Sequence, residues 1–206
     1  MVPMDYLTEF ITHVGYWGYL VLFLIIFLES FPPTFILPGD SLLFVTGFLA
    51  SQGYFNPGLL VVVLYTASIL GYMFSYAMGK KLREFILRSN DRYWFKKKHL
   101  DYTEAFYTKY GTKTVVIGRF IPIVRSFNPT LAGAVDMEYK RFFKMVLIGG
   151  FLWTGGLTTI GFYLGRIIPD AHKFVTPIVI AIIFVSLLPA IFEFVYKFFE
   201  KNKKID

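Results

Sequence analysis

Cysteine is absent from all 206 residues. Neither a disulfide framework nor a thiolate metal site can therefore be built. Histidine is nearly as scarce: His13, His99 and His172 are scattered, with no metal-ligand spacing among them. Charge is missing over a long stretch. From Val14 to Gly79, 66 residues hold only two charged side chains, Glu29 and Asp40. The amino-terminal MVPMDYLTEF has no Lys or Arg. It lacks the positive n-region of a cleavable signal peptide, so the first apolar block is expected to stay in the membrane.

What is present fits a membrane protein. The chain is 55% hydrophobic, with 24 Phe, 14 Tyr and 3 Trp. The uninterrupted apolar blocks carry more weight than that fraction. A spanning helix needs ~20 mostly apolar residues, and Gly58–Gly79, Met145–Gly165 and Val175–Phe192 provide them. Gly15–Leu28 is shorter and is extended towards the interface by the polar-aromatic residues before it. Two further apolar stretches are broken. Pro32, Pro33, Pro38 and Gly39 cut Phe31–Phe55, and Pro122 and Pro129 cut Thr114–Val135. Apolar pieces of ~10–14 residues suit re-entrant segments better than spans.

The predicted fold is all-α and polytopic, in a single domain over 1–206. Four spanning helices enclose two oppositely oriented re-entrant hairpins. Residues 14–82 hold the first span, the first hairpin and the second span. Residues 83–113 form a basic amphipathic cytoplasmic loop. Residues 114–166 hold the second hairpin and third span, and 174–199 the last span. Ten Lys/Arg lie between Lys80 and Lys113. Cytoplasmic loops carry such an excess, which places this loop and both termini in the cytoplasm. The first hairpin then enters from the outer face and the second from the cytoplasmic face. Leu64–Ile69 resembles Leu152–Leu157, and Tyr76–Lys80 resembles Phe162–Arg166, with a two-residue gap between the matches. A hairpin plus helix repeated upside down is the inverted-repeat plan of secondary transporters. The net charge of +7 is explained by this topology, so no nucleic-acid partner is expected.

The site candidates are the charges at the breaks. An ionisable group at bilayer depth costs at least ~2.5–3.5 kcal/mol and is read first as functional. Irregular backbone survives there only where it lines protein or a wet cavity. Glu29 and Asp40 flank the first break, in FLESFPPTFILPGD. Asp40 has an alternative reading as a helix N-cap, since Pro-Gly-Asp-Ser is good cap chemistry. Arg119 and Arg125 lie in GRFIPIVRSFNP, on either side of Pro122. Arginine keeps its charge and offers a fork matched to phosphate or carboxylate. The alternatives are a snorkelling Arg119, or a static ion network of the arginines with Glu29 and Asp40. Trp153 and Tyr163 read as packing or interface anchors, and the glycines of the later helices as close-packing positions.

These residues resemble the DedA family, also called the SNARE-associated or VTT-domain family, over about residues 15–200. The resemblance rests on the glutamate before the break ending in LPGDSLL, on G-R-F-x-P-x-x-R, and on the following Asn128, Pro129, Ala132 and Gly133. It implies opposed re-entrant hairpins and a role in moving lipids between leaflets. It also implies proton coupling through Glu29 and Asp40 and phosphate binding by Arg119 and Arg125. Pro38, Gly39, Pro122, Asn128 and Pro129 would support the hairpins. The expected function is an inner-membrane flippase, not an enzyme, with no cofactor or metal. It would carry undecaprenyl phosphate or a phospholipid, driven by protons or membrane potential. The alternatives are a proton-linked small-ion or drug transporter, or a membrane organiser without transport. A homo-oligomer is compatible with either.

Overall fold

The computed structural model describes residues 4–32, 39–88 and 97–168, and among these every regular element is helical. Pro38 and the expected last span at 174–199 lie outside the described residues. In chain order the elements are α1 (Met4–Leu28), α2 (Gly39–Ser51), α3 (Pro57–Arg88), α4 (Lys97–Tyr110) and α5 (Lys113–Ile117). A 3-10 turn (Gly118–Phe120), α6 (Pro122–Ala134) and α7 (Tyr139–Gly150) come next, then a π turn (Phe151–Gly155) and α8 (Gly156–Ile167).

Local chemistry sets several boundaries. Gly53, at φ +87°, ends α2 in the left-handed conformation that glycine adopts without strain. Asn56 then caps α3, accepting a hydrogen bond from the Leu59 amide (3.1 Å), with Pro57 in the first helical position. Pro122 starts α6 in the same way, behind the extended Ile121.

Among the described residues, two helices are long and apolar enough to cross a bilayer: Pro57–Leu87, and Tyr139–Ile167 including its π turn. They run in opposite directions. The Tyr65 hydroxyl reaches the Leu147 carbonyl (3.0 Å), while Tyr76 stacks on Phe142 near the start of α7 (4.5 Å between centroids). Large apolar side chains face outward from both, among them Val62, Phe74, Phe151 and Ile160, as does the Trp17, Leu20, Leu24, Leu28 stripe of α1. Apolar surface on this scale marks a lipid or protein contact rather than water.

Each short helix lies parallel to one long helix, and the two contacts repeat each other. On α2 and α8, a Cβ at Gly47 would strike the Thr158 carbonyl, and one at Gly161 the Phe44 carbonyl. On α6 and α3, a Cβ at Gly133 would strike the Tyr76 carbonyl, and one at Gly79 the Thr130 carbonyl. Small residues allow such backbone approach between membrane helices. The sequence match pairs Gly79 with Gly165, whereas the packing pairs it with Gly161, one turn earlier.

The direction of α1 departs from expectation. Gly18 abuts Phe55, and the Asn56 amide bonds to the Tyr19 hydroxyl (2.7 Å), while Gly71 abuts Phe27 and Ser30. So α1 runs alongside α3 in the same sense, and ends beside the middle of α3. The first span expected at Gly15–Leu28, running opposite to α3, is not what the chain forms. Helix α1 ends at Leu28, with Glu29 and Pro32 following.

Two apolar cores result. One joins Leu22, Ile26, Leu42, Leu43, Leu60, Leu64 and Ala67 with Trp153. The other joins Tyr72, Tyr76, Tyr107, Val115, Ala132, Phe142 and Val146. On α3 the first ends at Ala67 and the second begins at Tyr72. Ser68 lies between them, and so does the charged cluster.

Candidate functional site

Glu29 succeeds the last residue of α1, Asp40 opens α2, Arg119 sits in the 3-10 turn and Arg125 in the first turns of α6. The four charges, up to 96 positions apart, converge at the seam between the cores. Arg125 is the hub. Its two terminal nitrogens pair separately with Glu29 Oε1 and Asp40 Oδ1. The side chains of Glu29 and Arg125 are almost fully buried, whereas that of Asp40 is 45% exposed. Gly39 makes room for this arrangement, because a Cβ there would overlap the Glu29 carboxylate.

Arg119 is held differently. It is buried at 1% exposure, so it does not snorkel. Nη1 donates to the Val146 carbonyl (3.1 Å), Nη2 to the Ser68 hydroxyl, and the guanidinium lies 3.8 Å from the centre of the Tyr72 ring. Among the described residues it forms no salt bridge. The ion-network reading is therefore realised at Arg125 and not at Arg119. Glu29 Oε2 and the Nε atoms of both arginines are buried without a hydrogen-bond partner among the described residues.

Proline chemistry explains one further contact. Pro129 lies inside α6 and has no N–H, which leaves the carbonyl of Arg125 without its helical donor. The Tyr72 hydroxyl supplies that bond (3.1 Å). Ser126 ties the neighbouring turn to α1 by donating to the Glu29 carbonyl (3.1 Å). Asn128 staples the two arms of the second break: its Nδ2 donates to the Thr114 and Val115 carbonyls (3.1 and 3.2 Å). Tyr107 of α4 donates to Asn128 Oδ1 (2.6 Å). Burial pushes the Tyr107 phenol above its ordinary pKa, which keeps it a donor. Tyr107 also lines a 420 Å³ cleft with Glu104, Thr112, Met137 and Arg141, so the basic loop helix touches the base of the second break.

Trp153 completes the cluster. Its indole N–H donates to Asp40 Oδ1 (2.7 Å), and Arg125 lies 4.6 Å from its ring centre. The sequence pattern assigns this residue to packing or anchoring; only its glycine-rich surroundings mark the helix as unusual. Ser68, Tyr72, Ser126 and Tyr107 are likewise unmarked in the sequence, because each is a common residue of an apolar or polar helix.

The cavity among Ile26, Glu29, Ser30, Ser68, Tyr72, Arg119, Arg125 and Trp153 measures about 10 Å³. That is at the lower limit for one water molecule. That space is too small for a lipid headgroup. Among the described residues, no group of His, Asp or Glu gathers to hold a metal.

Comparison with known proteins gives a consistent picture. Residues 37–163 match the VTT domain. The chain is similar to Protein DedA of Escherichia coli K12, with 38% identity over 193 residues covering 92% of this chain and 88% of the relative. It is 35% identical to the uncharacterized membrane protein ML0287 of Mycobacterium leprae over 170 residues, 81% and 75% of the two chains. It is 36% identical to the inner membrane protein YqjA of E. coli K12 over 152 residues, 72% and 68% of the two. No solved structure matches.

Proposed function

The chain belongs to the VTT-domain, or DedA, family of membrane proteins, and from that premise we propose that it is an inner-membrane lipid transporter. It moves an anionic lipid phosphate, either undecaprenyl phosphate or a phospholipid, between leaflets, coupled to protons or membrane potential. The observation that carries this reading is Arg119. A permanent cation buried at the seam of two apolar cores, with no paired carboxylate among the described residues, suits an anion. Beside it, Arg125 is already neutralised by Glu29 and Asp40.

The charges set the roles. In the structure the two carboxylates occupy Arg125. Protonating a carboxylate frees that arginine, and a phosphate entering at Arg119 gains a second guanidinium. Only the headgroup needs the polar path, while the tail stays in lipid. The broken segments are two re-entrant hairpins entering from opposite faces, α1 with α2 and α5 with α6. The tips of both supply the site. The spans are α3, α7 with α8, and residues 174–199, with the basic loop and carboxy terminus in the cytoplasm.

The purified protein in vesicles, with labelled lipids of several headgroups, tests this. Movement of a phosphate lipid between leaflets supports it. Chemical conversion of the lipid, proton-linked ion flux without lipid movement, or no activity would indicate instead an enzyme, an ion or drug transporter, or an organiser. Because the chain has no native cysteine, Tyr54→Cys and Lys140→Cys test the orientation. An impermeant thiol reagent should reach the first from outside and not the second.

A further inference from the structure

The π turn at Phe151–Gly155 interrupts an otherwise continuous helix at the level of the site. Single π turns inside α-helices are often found at functional sites. Three features mark this one as a form that can rewind. First, helical threonines elsewhere bond the carbonyl four residues back: the buried Thr46 to Leu42 (2.8 Å) and the exposed Thr66 to Val62 (2.7 Å). Thr154 and Thr158 count back to Gly150 and Thr154, at the border of the π turn and within it. Both hydroxyls are buried without a partner among the described residues. A regular α register would return that carbonyl to them.

Second, Gly155 and Gly156 have helical angles, and among the described residues a Cβ on either meets nothing within 4 Å. Glycine is costly inside a helix, and no close packing among the described residues requires it here. Gly150 differs, since a Cβ there would crowd Arg119 and Tyr65. Third, the turn presents Trp153, whose indole holds the same Asp40 oxygen that Arg125 holds. Downstream, α8 is fastened to α2 through Gly47 and Gly161, and by Gln52 Nε2 donating to the Gly165 carbonyl (2.9 Å). Asp40 opens that same α2.

We propose that Trp153 is a positioning residue that holds Asp40 on Arg125 in a shut form of the site, and that rewinding of the π turn withdraws it and carries α8 with α2 off the arginines. This deepens the transport reading and rests on it for its purpose. Moving one residue across such a turn advances the helix by about 1.5 Å and turns the residue it passes by about 100°. That is enough to take the indole off the Asp40 oxygen it shares with Arg125. It also separates the carboxylates: Glu29 is a fixed counter-charge tied to α6 through Ser126, while Asp40 travels with α2. Among the described residues, the charged and titratable groups that face Asp40 are Arg125, Glu29 and Tyr72.

The test uses the full chain in phosphatidylethanolamine–phosphatidylglycerol vesicles, with Thr154→Cys as reporter. The introduced thiol should be protected from a small methanethiosulfonate at rest, and at least tenfold more reactive when a polyprenyl phosphate is added. Gly155→Ala with Gly156→Ala should abolish that rise and lower transport more than tenfold, with an unchanged or higher melting temperature. A purely structural role for these glycines would not produce that combination. Trp153→Phe keeps the ring but loses the N–H, and should raise thiol reactivity about tenfold with no lipid phosphate present. Full transport by the double alanine protein would overturn the proposal, and so would a thiol unmoved by Trp153→Phe. Failure of the wild type to move any lipid overturns the transport reading instead, and the Trp153→Phe arm still decides the turn.

Discussion

The α2–α8 and α6–α3 pairs share a backbone contact and differ in charge. In both, a glycine of the short helix meets the carbonyl three residues before a glycine of the long helix. Seven residues ahead of that shared glycine stands Asp40 in one pair and Ser126 in the other, each beside a residue of the opposite character, Gly39 or Arg125. The packing is duplicated, and the chemistry is complementary. One tip carries the acids and the other the bases, so each half supplies the counter-charges that the other needs at a depth where water does not. An ion pair made this way holds the halves together only while the charges persist.

The largest effect expected from breaking that complementarity is at Arg125. Arg125→Ala leaves two carboxylates without their cation, a loss of about 3–5 kcal/mol that should appear as a lowered melting temperature in detergent. Arg119→Ala removes no direct salt-bridge partner. It should cost clearly less stability while abolishing transport to a similar degree. Equal destabilisation by the two would erase the distinction between the ion-paired hub and the arginine held by neutral groups.

The shared packing gives the next effect. Gly47→Ala and Gly133→Ala each push a methyl group into a backbone carbonyl, at about 1–3 kcal/mol, and the two losses should agree. A large inequality, read by thermal unfolding, would mean that the halves are not structural equivalents. Smaller still is the cost of Tyr72→Phe, which leaves the Arg125 carbonyl unpaired. Pro129→Ala restores an N–H to the helix there. The double-mutant cycle should therefore show Tyr72→Phe milder by about 1 kcal/mol in the Pro129→Ala background. Smallest is the exposed Lys80–Asp136 pair (3.0 Å). Lys80→Ala should shift stability by no more than about 0.5 kcal/mol.

What the sequence made legible was whatever violates its surroundings. Two acids in an apolar run, two arginines around a proline, and the prolines themselves stand out because each is costly at bilayer depth. All four charges meet in the structure. The helical class and the two long spans were legible for a related reason, since hydropathy measures length. It does not measure destination. Gly15–Leu28 is as apolar as a span, yet α1 stops beside Gly71, because the Glu29 carboxylate meets Arg125 from the other half of the chain. That pairing is a tertiary fact, and no local pattern encodes it. Trp153 was illegible for the opposite reason. A tryptophan in an apolar helix violates nothing, and only the π turn aims it at Asp40. Tyr72 became explicable once Pro129 was seen to lie inside α6, where the missing N–H requires a donor from elsewhere.

The central claim is that a buried arginine without a carboxylate receives a lipid phosphate. Leaflet-resolved transport of a labelled polyprenyl phosphate, beside the matching uncharged polyprenol, tests it on the wild type and on Arg119→Gln in the same vesicles. The account predicts that the wild type moves the phosphate and not the alcohol, and that Arg119→Gln loses phosphate transport while remaining folded and inserted. Undiminished phosphate transport by Arg119→Gln, or equal movement of the uncharged lipid by the wild type, would contradict it.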